Sequence, residues 1–400
     1  VGKTCLYEFA GTSGKALWSF DGQTLLVTPE DGPPWALPIR ECSSIQGDGY
    51  DLALGFARGA LQMGRLGQDG ATLLEELRRL WPMLRADALR LTGTGKPEAY
   101  SCALNEDGPS VRCTALVYED AVLVAPEGRD LEPIFLSLID GVSFDEARYA
   151  VALKEWEGRV RSLLKVGART EELLARLGSA RAGLSGEASQ VFQSNLPGLG
   201  ATERAQLSSV WPPGRMATMA ELERAAPGFV GAFTASWLSQ SLRRKEAEAL
   251  MEWASRESVW IGFGRPGTTV STTHGSEEEV PGESEQAGTE EMPEARADGL
   301  LWLLACRGSQ WLLEALTEPD HATYRFEGRD EMPSLVSRLL CAPQFSREAL
   351  YLPLDSLTGD RADLSSAARD LGFLRDLRMR FRGRVIHSGF TAWKRDACGP

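Results

Sequence analysis

Two stretches decide the fold: Leu25-Leu26-Val27-Thr28-Pro29-Glu30 and, 97 residues on, Val122-Leu123-Val124-Ala125-Pro126-Glu127. The first closes a segment, Trp18 to Asp31, that reads as a strand, an Asp21-Gly22 turn and a second strand ending at Pro29. The second follows Thr114 to Tyr118 and a Glu119-Asp120 turn, so the same grammar returns with Pro126 in the place of Pro29.

Outward from the first copy lie Trp35 to Ile39, Ser44 to Ile45, Leu52 to Phe56 and Ala60 to Met63, short apolar runs cut by Gly or charged residues. They read as successive strands of a meander. Thr72 to Leu91 then carries Leu73, Leu74, Leu77, Leu80, Trp81 and Leu84 at helical spacing, with Pro82 expected to kink or break the helix. In the second copy Ile134 to Ile139, Tyr149 to Leu153 and Val160 to Leu164 take the strand places. Thr170 to Leu177 takes the helix, with Leu174 and Leu177 matched to Leu77 and Leu80 at the same offset of 97. Such a period is too long for a solenoid and long enough for a small domain.

A unit of about 90 residues, a strand meander closed by one amphipathic helix, resembles a pleckstrin-homology-like (PH-like) barrel. The resemblance covers 1–92 and 99–180, with Thr92-Gly93-Thr94-Gly95-Lys96-Pro97 as linker. It implies an α+β chain with two tandem barrels, each plugged by its C-terminal helix. Modules of this kind bind lipid headgroups or peptides, and the lipid binders carry several Lys and Arg in the loop between the first two strands. Here that loop is Gly11-Thr12-Ser13-Gly14-Lys15, with one base, and Asn105-Glu106-Asp107-Gly108, which is acidic. The resemblance therefore implies protein partners ahead of phosphoinositides.

From 181 to 258 the period becomes helical. Thr218 and Glu221 have the form of a capping box, Pro227-Gly228 should interrupt the helix, and Phe229, Phe233 and Trp237 form one stripe expected to pack on neighbouring structure. Residues 259–400 read as a C-terminal α+β module and a candidate third barrel. Its apolar strands are Val259 to Phe263, Leu300 to Ala305, Gln310 to Leu316 and Ala322 to Phe326, and a single late helix is expected over Asp363 to Phe381. Ser271 to Asp298 interrupts it with nine acids and only Arg296 as a base, a composition expected to stay unfolded.

The 400 residues carry 43% apolar content and a formal charge of −13, which disfavours a surface built to hold nucleic acid. No run approaches the roughly 18 apolar residues of a membrane span, and the start, Val1-Gly2-Lys3-Thr4, lacks the apolar core of a secretory signal. Seven cysteines, an odd number without a C-x-x-C pair, suit reduced thiols, so a cytoplasmic protein is expected.

Motifs for chemistry are weak. Gly262-x-Gly264-x-x-Gly267 has the letters of a dinucleotide fingerprint but no following helix, and Gly2-Lys3-Thr4 lacks the rest of a phosphate-binding loop. His274, His321 and His387 stand apart, and Gly183-Leu184-Ser185-Gly186 falls one residue short of a nucleophile elbow. No catalytic residue, cofactor or metal site is assigned on these grounds. The candidate binding patch is basic: Arg375, Arg378, Arg380, Arg382, Arg384, Lys394 and Arg395, with Asp376 the one acid among them. Arg375, Arg378 and Arg382 are expected on one helix face, available to an anionic partner such as lipid or nucleic acid or simply solvated. The functional expectation is a non-enzymatic scaffold or adaptor that binds protein partners. Its rival is an enzyme or ligand-binding protein with a pocket lined by Trp156, Trp211, Trp237 and Trp253.

Overall fold

The computed structural model describes residues 2–106, 108–255, 258–265, 300–317, 322–342 and 347–399. The acidic stretch 271–298 with His274, the end of the glycine motif at Gly267, and His321 lie outside the described residues. The chain divides into two compact units: Val1–Ser185 with Cys341–Pro343 and Leu352–Asp376, and Gly186–Leu340 with Gln344–Tyr351 and Leu377–Pro400.

In the first unit β1 (Lys3–Phe9), β2 (Thr12–Phe20), β3 (Thr24–Pro29), β4 (Trp35–Pro38), β5 (Ser44–Gly47), β6 (Leu52–Phe56) and β7 (Gly59–Gly64) form one antiparallel sheet. Its order is 4-3-2-1-7-6-5, and α1 (Gln68–Ala88) follows. The end strands β4 and β5 are joined by little more than the single turn Ile39–Glu41, so the sheet has to curl. Its concave face buries Trp18, Leu25, Val27, Leu54, Leu61 and Met63, and α1 supplies Leu73, Leu74, Leu77 and Trp81. Strands β8 (Glu98–Asn105), β9 (Val111–Val117), β10 (Ala121–Pro126), β11 (Glu132–Phe135), β12 (Ile139–Asp145), β13 (Ala150–Glu155) and β14 (Val160–Leu164) repeat the sheet in the order 11-10-9-8-14-13-12. Helix α2 (Thr170–Asn195) then closes a core of Tyr100, Val122, Val151, Leu163, Leu173 and Leu177.

Two sequence expectations are corrected here. Helix α1 runs unbroken through Pro82. A proline removes one ladder bond, and Trp81, Pro82 and Arg85 are all buried, so packing of this face holds the helix together. The offset between repeats also changes along the chain. Tyr7 pairs with Met63 and Leu104 with Leu163, so β1 and β8 are 97 residues apart while β7 and β14 are 100 apart. The helices inherit the larger offset: the buried Leu73 and Leu77 correspond to the buried Leu173 and Leu177, not to Leu174.

The second unit contains α3 (Ala201–Val210), β15 (Ala217–Thr218), α4 (Met219–Ala225), α5 (Phe229–Ala232) and α6 (Arg244–Trp253). Strands β16 (Val259–Phe263), β17 (Leu301–Arg307), β18 (Gln310–Ala315) and β19 (Ala322–Glu327) follow, then α7 (Met332–Cys341) and α8 (Glu348–Tyr351). After α9 (Ala362–Asp370) and α10 (Gly372–Arg380), the chain ends in β20 (Phe381–Ile386) and α11 (Phe390–Cys398). Thr218 caps α4 in the expected box with Glu221, and Gly228 at φ 89° breaks the chain between α4 and α5. Phe229, Phe233 and Trp237 are all buried, in one core with Phe192, Trp211, Ile261, Leu303 and Trp393. Residues on both sides of 258 thus share a core.

The sheet of this unit keeps sequence order, β15 to β20, unlike the order of the first two sheets and unlike the expected third barrel. β17 and β18 are buried on nearly every residue, which is why they read as continuous apolar runs. The late helix also differs from expectation. Leu371 is extended at ψ 115° between α9 and α10, and the chain enters β20 at Phe381. A helical spacing of Leu364, Ala367, Leu371 and Leu374 survives a one-residue break, so periodicity conceals it. Arg382 therefore sits on a strand with Arg384, not on the expected helix face with Arg375 and Arg378.

Candidate functional site

Edge strands carry unpaired backbone groups, so their fate decides what a curled sheet offers to a partner. In the first curled sheet the β5 edge is filled by the chain itself. The Gly128 N–H donates to Ile45 O at 2.9 Å, and Arg78 on α1 donates to Gly47 O at 3.2 Å. Gly128 belongs to the β10–β11 turn, whose two carboxylates are gripped by arginines two helical turns apart on α1. Arg78 pairs with Glu127 at 2.6 Å. Arg85, fully buried, holds Asp130 through Nε at 2.9 Å and Nη2 at 2.7 Å, and Asp370 at 2.9 Å. Burial pulls the Arg85 guanidinium down, and the two aspartates outweigh it, leaving it above its ordinary value.

Among the described residues no equivalent turn fills the matching edge of the second curled sheet. Val142 stands where Ile45 stands, 97 residues earlier, since Val142 pairs with Leu153 as Ile45 pairs with Leu54. The Ile45 carbonyl faces outward to Gly128, so in an alternating antiparallel ladder Val142 and Phe144 turn their backbone groups outward. A bulge at Asp140 bends the start of β12, and Arg181 on α2 donates to Asp140 O at 3.0 Å. Beyond it Gly141 to Asp145 forms the sheet edge. The half-buried Val142 and Phe144 pack against the core, and Phe144 meets the exposed Tyr149 edge to face at 5.2 Å.

The ends of the two curled sheets offer little to an anion. In the first, β1 and β2 join by the two-residue turn Ala10-Gly11, and Lys15 lies within β2, outside any loop. A shallow open groove of about 640 Å³ there has Arg58 as its base and Glu8 as its acid. In the second, the buried Arg161 lies 3.0 Å from Glu155, 3.2 Å from Glu106 and 3.4 Å from Glu132, and Arg159 pairs with Glu106 at 2.7 Å. Three carboxylates against these two arginines leave the cluster a net −1, which disfavours a phosphate.

The predicted basic residues mostly have partners within the fold. Arg378 donates to Ala349 O, Arg380 pairs with Glu331, and Arg382 reaches Glu327 at 2.9 Å. Arg384 lies 3.8 Å above the Tyr351 ring, Lys394 meets Glu252 at 3.4 Å and Arg395 meets Asp396 at 2.8 Å. Arg375 is exposed on α10 and falls in the first unit, while the other six fall in the second. Trp211 and Trp237 of the proposed pocket are core residues, with Trp211 stacked on Phe192 at 5.3 Å; Trp156 belongs to the first unit. Gly262 is a packing glycine in β16: a Cβ there would come within 2.6 Å of Met216 Sδ and 3.3 Å of Arg215 O.

One polar cluster escaped sequence reasoning. Glu314 on β18 is wholly buried, its Oε2 accepting from Thr323 Oγ1 and lying 3.2 Å from His387 Nε2. Trp393 Nε1 donates to Thr323 Oγ1 at 2.6 Å, and among the described residues Glu314 Oε1 has no hydrogen-bond partner. Burial raises the Glu314 pKa, and His387, Thr323 and Arg243 counter it only in part. A lone acid inside the apolar run Trp311 to Leu316 was the available signal. Among the described residues no group of three or more His, Cys, Asp or Glu is placed to hold a metal, and no helix is long and apolar enough to cross a membrane. No protein-family model matches the chain, and no curated protein matches it significantly.

Proposed function

We propose that the chain is a non-enzymatic adaptor of a reducing compartment such as the cytoplasm, built on two tandem PH-like barrels. The second barrel takes an extended segment of a partner protein along β12. The observation that carries this reading is the contrast between equivalent edges: β5 and β12 each end their sheet, but β5 is occupied by the turn at Gly128, whereas among the described residues no backbone group bonds to the outer edge of β12 over Gly141 to Asp145. Strand addition uses main-chain hydrogen bonds for affinity and the pockets beside alternate side chains for selectivity. The repeated order of seven strands and a closing helix supports the PH-like assignment, and the acidic second mouth supports a protein ligand over a phosphoinositide.

The test is a selection of extended peptides from a random display library against the full chain, followed by titration against Val142→Pro. Proline removes one outward N–H from the edge and leaves a side chain of similar bulk. Loss of affinity by tenfold or more, with unchanged circular dichroism, is expected. Peptides that bind the variant as tightly as the parent, or a library that yields no saturable binder, reject the reading.

A further inference from the structure

The rung of β8 and β9 at Cys102 and Cys113 holds two facing sulfurs inside the second barrel. The residues are direct register partners, both are buried, and their Sγ atoms lie 3.2 Å apart. The fold does not demand this pair. In the first barrel the same rung, 97 residues earlier, is Cys5 opposite Ala16, and it packs equally well with one sulfur.

We propose that Cys102 and Cys113 are a modification site, forming a reversible disulfide within the second barrel when the chain meets a peroxide. Burial selects the oxidant, since only a small molecule enters a packed barrel. One cysteine, as thiolate, attacks a peroxide oxygen, the O–O bond breaks, and a sulfenic acid forms with release of the first water. The second sulfur displaces hydroxide from that sulfenic sulfur, which leaves as the second water. Two thiols lose two electrons and two protons, and hydrogen peroxide is reduced to two waters. The proximity of the second sulfur favours closure over further oxidation.

Geometry also makes the bond reversible. Opposed residues on antiparallel strands keep their Cβ atoms about 4.5–5.5 Å apart, whereas a relaxed disulfide needs about 3.5–4.5 Å. The strands must draw together, and a bond closed under that strain is the more easily reduced kind. The hydrogen bond to Cys102 and burial hold the Cys113 thiol far above its ordinary pKa, so the reaction is slow.

The experiment treats the native full chain with hydrogen peroxide, alkylates the remaining thiols and digests with trypsin. Arg112 lies between the two cysteines, so cleavage there places them on separate peptides. The expected product is a linked pair two hydrogens lighter than the sum of its peptides, at least tenfold more abundant than any other cysteine pairing and abolished by dithiothreitol. Cys113→Ala, which recreates the Cys5–Ala16 rung, should fold normally, form no linked species and carry Cys102 on to sulfinic acid. Native protein that stays fully reduced, links other cysteines equally, or gives separate sulfinic acids at both positions overturns the proposal.

Discussion

Arg85→Met should destabilise the first unit by about 3 kcal/mol. The side chain is 1% exposed and donates to Asp130 twice, at 2.9 and 2.7 Å, to Asp370 at 2.9 Å and to Arg40 O at 3.3 Å. Removing one partner of a buried ion pair typically costs about 3–5 kcal/mol, because the charge left behind is uncompensated. Asp130 and Asp370 keep 27% and 20% of their side-chain surface in water, so some rehydration brings the figure to the lower end. Methionine retains the packing volume and isolates the electrostatic part of the loss. At a urea slope of about 3 kcal/mol per M, the high end for small proteins, the transition of this unit should move down by about 1 M. Circular dichroism reports the transition, and hydrogen exchange at Gly128 reports whether the turn has left β5. A cycle with Asp130→Asn tests the pairing directly, since contacting residues should be strongly non-additive. A midpoint for Arg85→Met within 0.2 M of the parent, with Gly128 still protected, would refute the reasoning.

Trp81→Ala should cost about 3–5 kcal/mol in denaturant unfolding, since the ring is buried and its Nε1 donates to Cys42 O at 2.8 Å; near-parental stability contradicts its place in the core under the first curled sheet. Gly262→Ala should cost about 1–3 kcal/mol through overpacking against Met216 and Arg215, read as a lower thermal midpoint of the second unit, and an unchanged midpoint refutes the packing role. Glu314 is a pH probe: its folded pKa lies above the ordinary 4.5, so its favourable contribution is complete below that value and is lost as pH rises through the folded pKa. Glu314→Gln removes that loss, so variant stability relative to parent should increase with pH above about 4.5 in a urea series, and parallel curves reject the assignment.

Local pattern was sufficient where one face or one cap settles the matter. The apolar run Leu25-Leu26-Val27 before Pro29 and its return as Val122-Leu123-Val124 before Pro126 disclosed the duplicated meander, because a short apolar run bounded by turn residues reads as a strand. Thr218 with Glu221 disclosed a helix start, because both hydrogen bonds of the box lie within four residues. Tertiary structure decided what depends on partners distant in sequence. The break at Leu371 preserves the helical spacing of apolar residues, so Arg382 reads as helical until β20 pairs with β19. The three-residue change of offset between β1 and β7 is set by strand pairing alone, which is how Leu77 came to be matched with Leu174. Whether an edge is filled or exposed turns on Gly128 reaching Ile45, a contact across 83 residues. The juxtaposition of Glu314, Thr323, His387 and Trp393 likewise spans β18, β19, the link after β20 and α11, and four unremarkable letters become one buried network only when the sheet and α11 close over them.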